Sequence, residues 1–314
     1  MVLLAGPVDA NPPKAAPRPA GERDGFFLTR DGLSLRVREW GEPDGDPMVL
    51  LHGLRGYSGT WRGLAAALGH GRRLIAIDQR GRGDSDWDPD CNYYTDAYLA
   101  DLEQLVDHLR LDRFTLLGHS MGGTTAYVYA ARHADRLDAL IIEDIAPGSS
   151  ASGAGAERIR AEMAALPFDF ADWAAARSYW RAARPSVGDE ALEQRLAESL
   201  REQADGRIGW RYDARGISRT RLEPDPARVV DLWPIVEAIR TPAFVIRGGR
   251  SDFCRLETVR EMERRNPCFT HATVESASHY VHDDAPDLFW GLIEGWQAGV
   301  RSSAVAHHVG EGRS

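Results

Sequence analysis

Phe114-Thr115-Leu116-Leu117-Gly118-His119-Ser120-Met121-Gly122-Gly123-Thr124-Thr125-Ala126-Tyr127-Val128-Tyr129-Ala130-Ala131-Arg132 joins a short apolar run to a stretch of helical composition. At the join stands Gly-x-Ser-x-Gly, with a strand expected before it and a helix after it. So sharp a turn presses the backbone on either side of the serine together, and a Cβ at Gly118 or Gly122 would clash. Ser120 is expected in a strained conformation that lifts its hydroxyl above the sheet edge. The first N–H groups of the helix, with the partial positive charge of its N-terminus, suit a developing oxyanion. The plainer alternative is a glycine-rich turn whose serine only caps a helix. The strand–turn–helix context favours the activated serine.

Working outward, two alternating runs around Asp31-Gly32 read as a β-hairpin, Phe26 to Arg30 and Leu33 to Trp40. Buried strands are expected at residues 47–52, 73–78, 137–145, 241–249 and 271–275, and helices at 60–68, 96–110, 255–265 and 286–298. Near-continuous apolar strands alternating with helices indicate a mostly parallel sheet covered on both faces, with the hairpin as an antiparallel edge. With the elbow strand and the hairpin this makes eight strands, an α/β architecture.

The alternation stops between Pro147 and Arg240, where no convincing buried strand is found. Helices are expected near 156–166, 170–183, 188–204 and 226–232, with an extended piece at 208–213. Residues 148–240 therefore read as an inserted helical lid, far longer than an ordinary connection. Its aromatic residues should mostly pack the lid itself, with Trp180 and Trp210 as candidates to face a substrate. The core is assigned to 23–147 and 241–300, with a proline- and alanine-rich disordered leader over 1–22 and a disordered tail over 301–314.

The net charge of −9 argues against nucleic acid as a partner. Cys91, Cys254 and Cys268 match neither a metal site nor a disulfide framework and read as buried or incidental thiols in a reducing compartment. No stretch approaches the length of a membrane span, and the N-terminus lacks the form of a signal peptide. A cytoplasmic protein without a membrane partner is expected. Oligomeric state is not legible.

A serine becomes nucleophilic only when a base takes its proton and an acid fixes the tautomer of that base. His279, in the loop after the last strand, is the base candidate. Asp252, past the strand before it, is the acid candidate, since catalytic groups of open parallel sheets collect at the C-terminal ends of strands. Asp144 at another strand end competes as the acid, and His282 competes as the base. Asp78 is read as a brace for its own loop and His119 as structural. Met121 N–H supplies one oxyanion donor and Leu54 N–H, after the strand ending at Leu51, the other. Arg55 could meet an anionic group on a substrate, although a solvated surface arginine is the plainer reading.

Four blocks resemble the α/β-hydrolase superfamily: His52-Gly53-Leu54, Asp78-Gln79-Arg80-Gly81-Arg82-Gly83-Asp84-Ser85, Gly118 to Gly123, and the segments holding Asp252 and His279. Leu140 to Pro147 is similar to an Asp-Ile-Ala-Pro segment of small bacterial and mitochondrial esterases and thioesterases. The resemblance implies a Ser-Asp-His hydrolase forming an acyl-enzyme, with neither metal nor organic cofactor. The serine at the elbow departs from epoxide hydrolases and haloalkane dehalogenases, which carry aspartate there. Ser278 stands where the family often has glycine before the base. The expected reaction is hydrolysis of an ester, thioester or lactone with a small apolar or aromatic substrate. Carbon–carbon hydrolysis or elimination at the same site is the alternative, and a binding protein with a retained pocket is the third.

Overall fold

The computed structural model describes residues 9–14, 21–149, 152–185 and 187–311. The rest of the expected leader and tail, residues 1–8, 15–20 and 312–314, lies outside the described residues.

The strands are β1 (Arg23–Leu28), β2 (Ser34–Gly41), β3 (Asp46–Leu51), β4 (Arg72–Ile77), β5 (Phe114–His119), β6 (Leu137–Glu143), β7 (Asp169–Phe170), β8 (Leu200–Glu202), β9 (Ile208–Trp210), β10 (Ala243–Gly248) and β11 (Phe269–Val274). Eight of them form one sheet in the order β1-β2-β4-β3-β5-β6-β10-β11. β2 pairs antiparallel with β1 and with β4, and every later pairing is parallel.

Both faces are covered because the strands carry apolar residues on both sides. In β3, Val49 and Leu51 enter one hydrophobic cluster while Met48 and Leu50 enter the other, as the two-residue repeat of a strand requires. On the first face lie helices Thr95–His108, Met121–Arg132, Leu232–Ala238 and Leu256–Arg265; on the second lie Arg62–Leu68 and Pro286–Glu311. The chain leaves β3 towards β4 on one side and later returns through β5 on the other. The loops after β3 and β5 therefore flank the point where the winding reverses, which is where open α/β sheets form their crevice.

The segment between β6 and β10 differs in detail from expectation. β7, β9 and β8 form a small antiparallel sheet that the sequence did not reveal, because strands of two or three residues show no alternation. Helix Ala214–Leu222 was not expected, and helix Leu232–Ala238 begins six residues later than expected. Aspartates start three of the segment's helices: Asp172 accepts from Ala175 N–H, Asp213 from Gly216 N–H and Asp231 from Trp233 N–H. Trp210 packs against Phe170, Tyr179, Trp180 and Tyr212 within this segment.

Two terminal expectations also change. Arg177 donates to the carbonyls of Asp9 (2.6 Å) and Asn11 (2.8 Å), so this part of the leader is held against helix Trp173–Ala183. The last helix continues to Glu311, past the point at which the sequence ends it. Among the described residues, no helix is long and apolar enough to cross a membrane.

Candidate active site

Gly118 and Gly122 let the chain turn. A Cβ on Gly118 would lie 2.5 Å from the Gly122 carbonyl oxygen, and one on Gly122 would lie 2.5 Å from that of Leu51. Between them Ser120 adopts φ 52° and ψ −115°, a left-handed conformation costly for a residue with a side chain. Its hydroxyl lies 2.9 Å from His279 Nε2, and His279 Nδ1 lies 2.7 Å from Asp144 Oδ2. All three side chains are buried.

The carboxylate that reaches His279 is thus Asp144, and the assignment of Asp252 as the acid is corrected. Asp144 follows β6, the strand beside β5, and its φ of 51° turns the carboxylate over the strand ends. Gly248 N–H donates to its Oδ1 at 2.8 Å, and Ser251 Oγ–H donates to its Oδ2. Asp252 faces the inserted segment, where Arg158 grips it through two bonds of 2.8 Å. That hydrogen-bonded guanidinium holds the Asp252 carboxyl below its ordinary pKa, against a smaller effect of burial.

Met121 opens helix Met121–Arg132, so its N–H has no carbonyl one turn earlier to bond. Gly53 packs so closely that a Cβ on it would lie 3.4 Å from Ser120 Cβ, which brings the Leu54 backbone beside the serine. Arg82 joins these two positions: its Nε donates to the Leu54 carbonyl (3.2 Å), and its Nη2 contacts Met121 Sδ (3.3 Å). Arg82 lies within a block that the sequence marks, yet its reach to both donor residues is a matter of three dimensions.

A second layer braces the base. His119 Nε2–H donates to the His279 carbonyl at 2.9 Å. The main-chain N–H of His282 donates to Glu143 at 2.9 Å, and its Nδ1–H does so at 2.8 Å. Burial works against charge on His282, but Glu143 and Asp283 outweigh it and raise its pKa. Burial, reinforced by the neighbouring His279 and His282, lowers that of His119. His119, Glu143 and His282 bring metal-ligating atom types within 4.8 Å of one another. Both imidazoles have a proton committed to a protein acceptor, which suits a hydrogen-bonded brace. Asp78 accepts from Ser58 N–H (2.5 Å) and Asp84 N–H (3.1 Å), bracing the loop after β4.

The Ser120 hydroxyl opens on a cavity of about 790 Å³. Leu54, Arg55, Met121 and Trp180 line it; Trp210 does not. Its wall includes eight arginines and two carboxylates, Glu162 and Asp252. The lining therefore mixes apolar and charged side chains. Arg55 binds Glu162 at 2.6 Å and is largely buried, so it is not a solvated surface residue.

A model of the alpha/beta hydrolase fold matches residues 46–286. The chain belongs to the α/β-hydrolase fold family. This α/β hydrolase is 31% identical over 263 residues to the sn-1-specific diacylglycerol lipase of Mus musculus, covering 81% of this chain and 83% of the relative. It is 27% identical over 258 residues to the 2-(acetamidomethylene)succinate hydrolase of Mesorhizobium japonicum, covering 82% of this chain and 88% of the relative. The crystal structure of an E-2-(acetamidomethylene)succinate hydrolase superimposes with a TM-score of 0.76 at 24% identity, covering 87% of this chain and 98% of the other. That structural likeness speaks for the fold, and the hydrolase relatives for an enzyme.

One stability prediction arises in the His52-Gly53 block of this α/β hydrolase. His52 is fully buried; its Nε2 accepts from Gln79 N–H at 3.1 Å, and its Nδ1–H donates to the Gly53 carbonyl at 2.8 Å. The bond from Gln79 needs an unprotonated Nε2 and so the neutral ring, whereas the bond to Gly53 survives protonation. Burial lowers its pKa to about 4 from 6.5, despite the favourable Gly53 bond. With the folded value below the unfolded one, this contribution is complete above about pH 6.5 and is lost as pH falls towards about 4, amounting to about 3 kcal/mol. Urea unfolding of the native protein and of His52→Asn between pH 7 and pH 5 reads this contribution as the difference between their pH slopes. The slope should be shallower in His52→Asn, and equal slopes would refute the assignment.

Proposed function

We propose that the enzyme hydrolyses a carboxylic ester or thioester of a small molecule through an acyl-enzyme on Ser120. The observation that carries this reading is the unbroken hydrogen-bonded line from Ser120 Oγ through the His279 ring to Asp144. In the first half-reaction, Ser120 Oγ attacks the carbonyl carbon and its proton passes to His279 Nε2. The carbonyl oxygen takes the negative charge, and the N–H groups of Met121 and Leu54 are placed to hold it. His279 then protonates the leaving group as the carbon–heteroatom bond breaks. Water repeats the sequence on the acyl-enzyme, releasing the acid and restoring the serine. Asp144 keeps the Nδ1 proton of His279 in place and stabilises the imidazolium.

The residues between β6 and β10 serve as a lid, joined to the core by alternating charges. Arg55 follows β3, Glu162 and Arg158 stand on helix Ala154–Ala164, and Asp252 follows β10; successive pairs lie 2.6–2.8 Å apart. The cavity volume suits a metabolite-sized substrate. Relatives named for a diacylglycerol and for a substituted succinate support hydrolysis while differing in the substrate named.

The test is labelling with a fluorophosphonate probe, mass-spectrometric mapping of the adduct, and a panel of 4-nitrophenyl esters. The expected result is an adduct confined to Ser120 together with ester turnover that the probe abolishes. Folded protein that neither takes the probe nor turns over any ester would overturn the reading.

A further inference from the structure

The charge of the cavity wall is opposite to that of the protein. The chain carries a net −9, yet arginines outnumber carboxylates eight to two around Ser120. Several of these arginines are neutralised: Arg55 by Glu162, Arg158 by Glu162 and Asp252, Arg195 by Asp283, and Arg228 by Asp96. Arg221, near the C-terminal end of helix Ala214–Leu222, is different. Among the described residues it has neither an ion pair nor a hydrogen bond, and its Nε is shut off from solvent without a partner.

The groups around Arg221 make its isolation more costly. Burial works against its charge, the hydroxyls of Tyr98 and Tyr94 help, and Arg82 adds a like charge, so its pKa is lowered. Arg82 is itself fully buried, and its donors go to the carbonyls of Leu54 and Arg80 and to Tyr98 Oη (2.6 Å) rather than to a carboxylate. Among the described residues, neither guanidinium has a carboxylate partner. A buried cation left unpaired is unfavourable unless something brings the opposite charge. The C-terminal end of a helix favours a cation there, but this holds for an exposed arginine too and leaves the buried Nε unexplained.

We propose that Arg221 anchors an anion subsite of the catalytic cavity, and that the substrate is an ester or thioester carrying a free carboxylate. This rests on the hydrolase reading above. A guanidinium presents two parallel N–H groups to a carboxylate, and bonds of this charge-assisted kind are the strong ones. The subsite lies on the inserted segment while Ser120 lies on the core, so a substrate held at both ends bridges the two.

Two esters of equal length separate charge from shape: 4-nitrophenyl hydrogen succinate, with a free carboxylate, and methyl 4-nitrophenyl succinate, its neutral counterpart. The native enzyme should prefer the acid by about 10- to 100-fold in kcat/KM, mostly through KM. Arg221→Gln should collapse that ratio towards one, and Arg221→Lys should restore part of it. Equal kcat/KM for the two esters in the native enzyme, or a ratio unchanged in Arg221→Gln, would overturn the proposal. Labelling of Ser120 by a neutral fluorophosphonate in Arg221→Gln shows that the variant is folded and its serine active. A binding measurement stands apart from the chemistry: succinate should raise the thermal midpoint of Ser120→Ala but not that of the double variant with Arg221→Gln. An equal rise in both proteins would refute the subsite even if the serine chemistry held. A rise with inorganic phosphate but not succinate would refute the carboxylate assignment.

Discussion

Asp144→Asn is expected to lower kcat by about 10³- to 10⁴-fold, whereas Asp252→Asn should cost less than about fivefold. The difference follows from what each carboxylate oxygen faces. Gly248 N–H points at Asp144 Oδ1 from 2.8 Å and can only donate, so in the amide the oxygen must stay at that position. The NH₂ group then occupies the place of Oδ2, 2.7 Å from His279 Nδ1. A donor there makes Nδ1 the acceptor and moves the ring proton to Nε2, where it can no longer accept the proton of Ser120. Little change in KM is expected, because the side chain lies outside the cavity wall. Asp252 loses only its pairing with Arg158, and its side chain is 35% exposed, in the range where ion pairs contribute little. Steady-state kinetics on the best ester of the panel, with circular dichroism to establish folding, distinguishes the two. A loss in Asp252→Asn as deep as that in Asp144→Asn would mean that the acid moves during turnover.

The sheet was legible because its information is local. Runs such as Leu137 to Ile145 and Thr241 to Gly249 announce buried strands, and Gly118 to Gly123 announces the turn that places Ser120. The acid was ambiguous for a definite reason. Chain order and position at a strand end admit Asp144 and Asp252 alike. What separates them is a φ of 51° at Asp144 and an N–H from Gly248, 104 residues away. Within the inserted segment the aspartate caps were present in the sequence, and Asp213 three residues before Gly216 is a start signal that composition alone obscured. Trp210 could not be placed in this way. Its indole N–H donates to the Pro167 carbonyl at 2.7 Å, and its ring serves the packing of the segment, which no pattern in the sequence distinguishes from contact with a substrate. The case of Arg221 is similar, since the absence of a counter-ion is a property of the surroundings and not of the residue.

Ser120→Ala and Ser120→Gly should both reduce turnover to background, by about 10⁵- to 10⁶-fold, because among the described residues no other nucleophile sits on His279 Nε2. They should differ in stability. Each variant loses the same hydroxyl and the same 2.9 Å hydrogen bond, so that contribution cancels between them. What remains is the backbone: at φ 52° and ψ −115° alanine keeps the Cβ that makes this conformation unfavourable, and glycine does not. Relief of strain of about 1–3 kcal/mol, offset in part by the greater chain entropy of unfolded glycine, leaves Ser120→Gly ahead of Ser120→Ala by about 1 kcal/mol. In a chain of this size that is a rise of about 1–2 °C in thermal midpoint, readable by calorimetry on the two inactive proteins. Equal midpoints would mean that the turn costs nothing at this residue and that the glycines around it absorb the bend. A higher midpoint for the glycine variant would locate the cost at the nucleophile, where presenting the hydroxyl to the cavity and relaxing the backbone cannot both be satisfied.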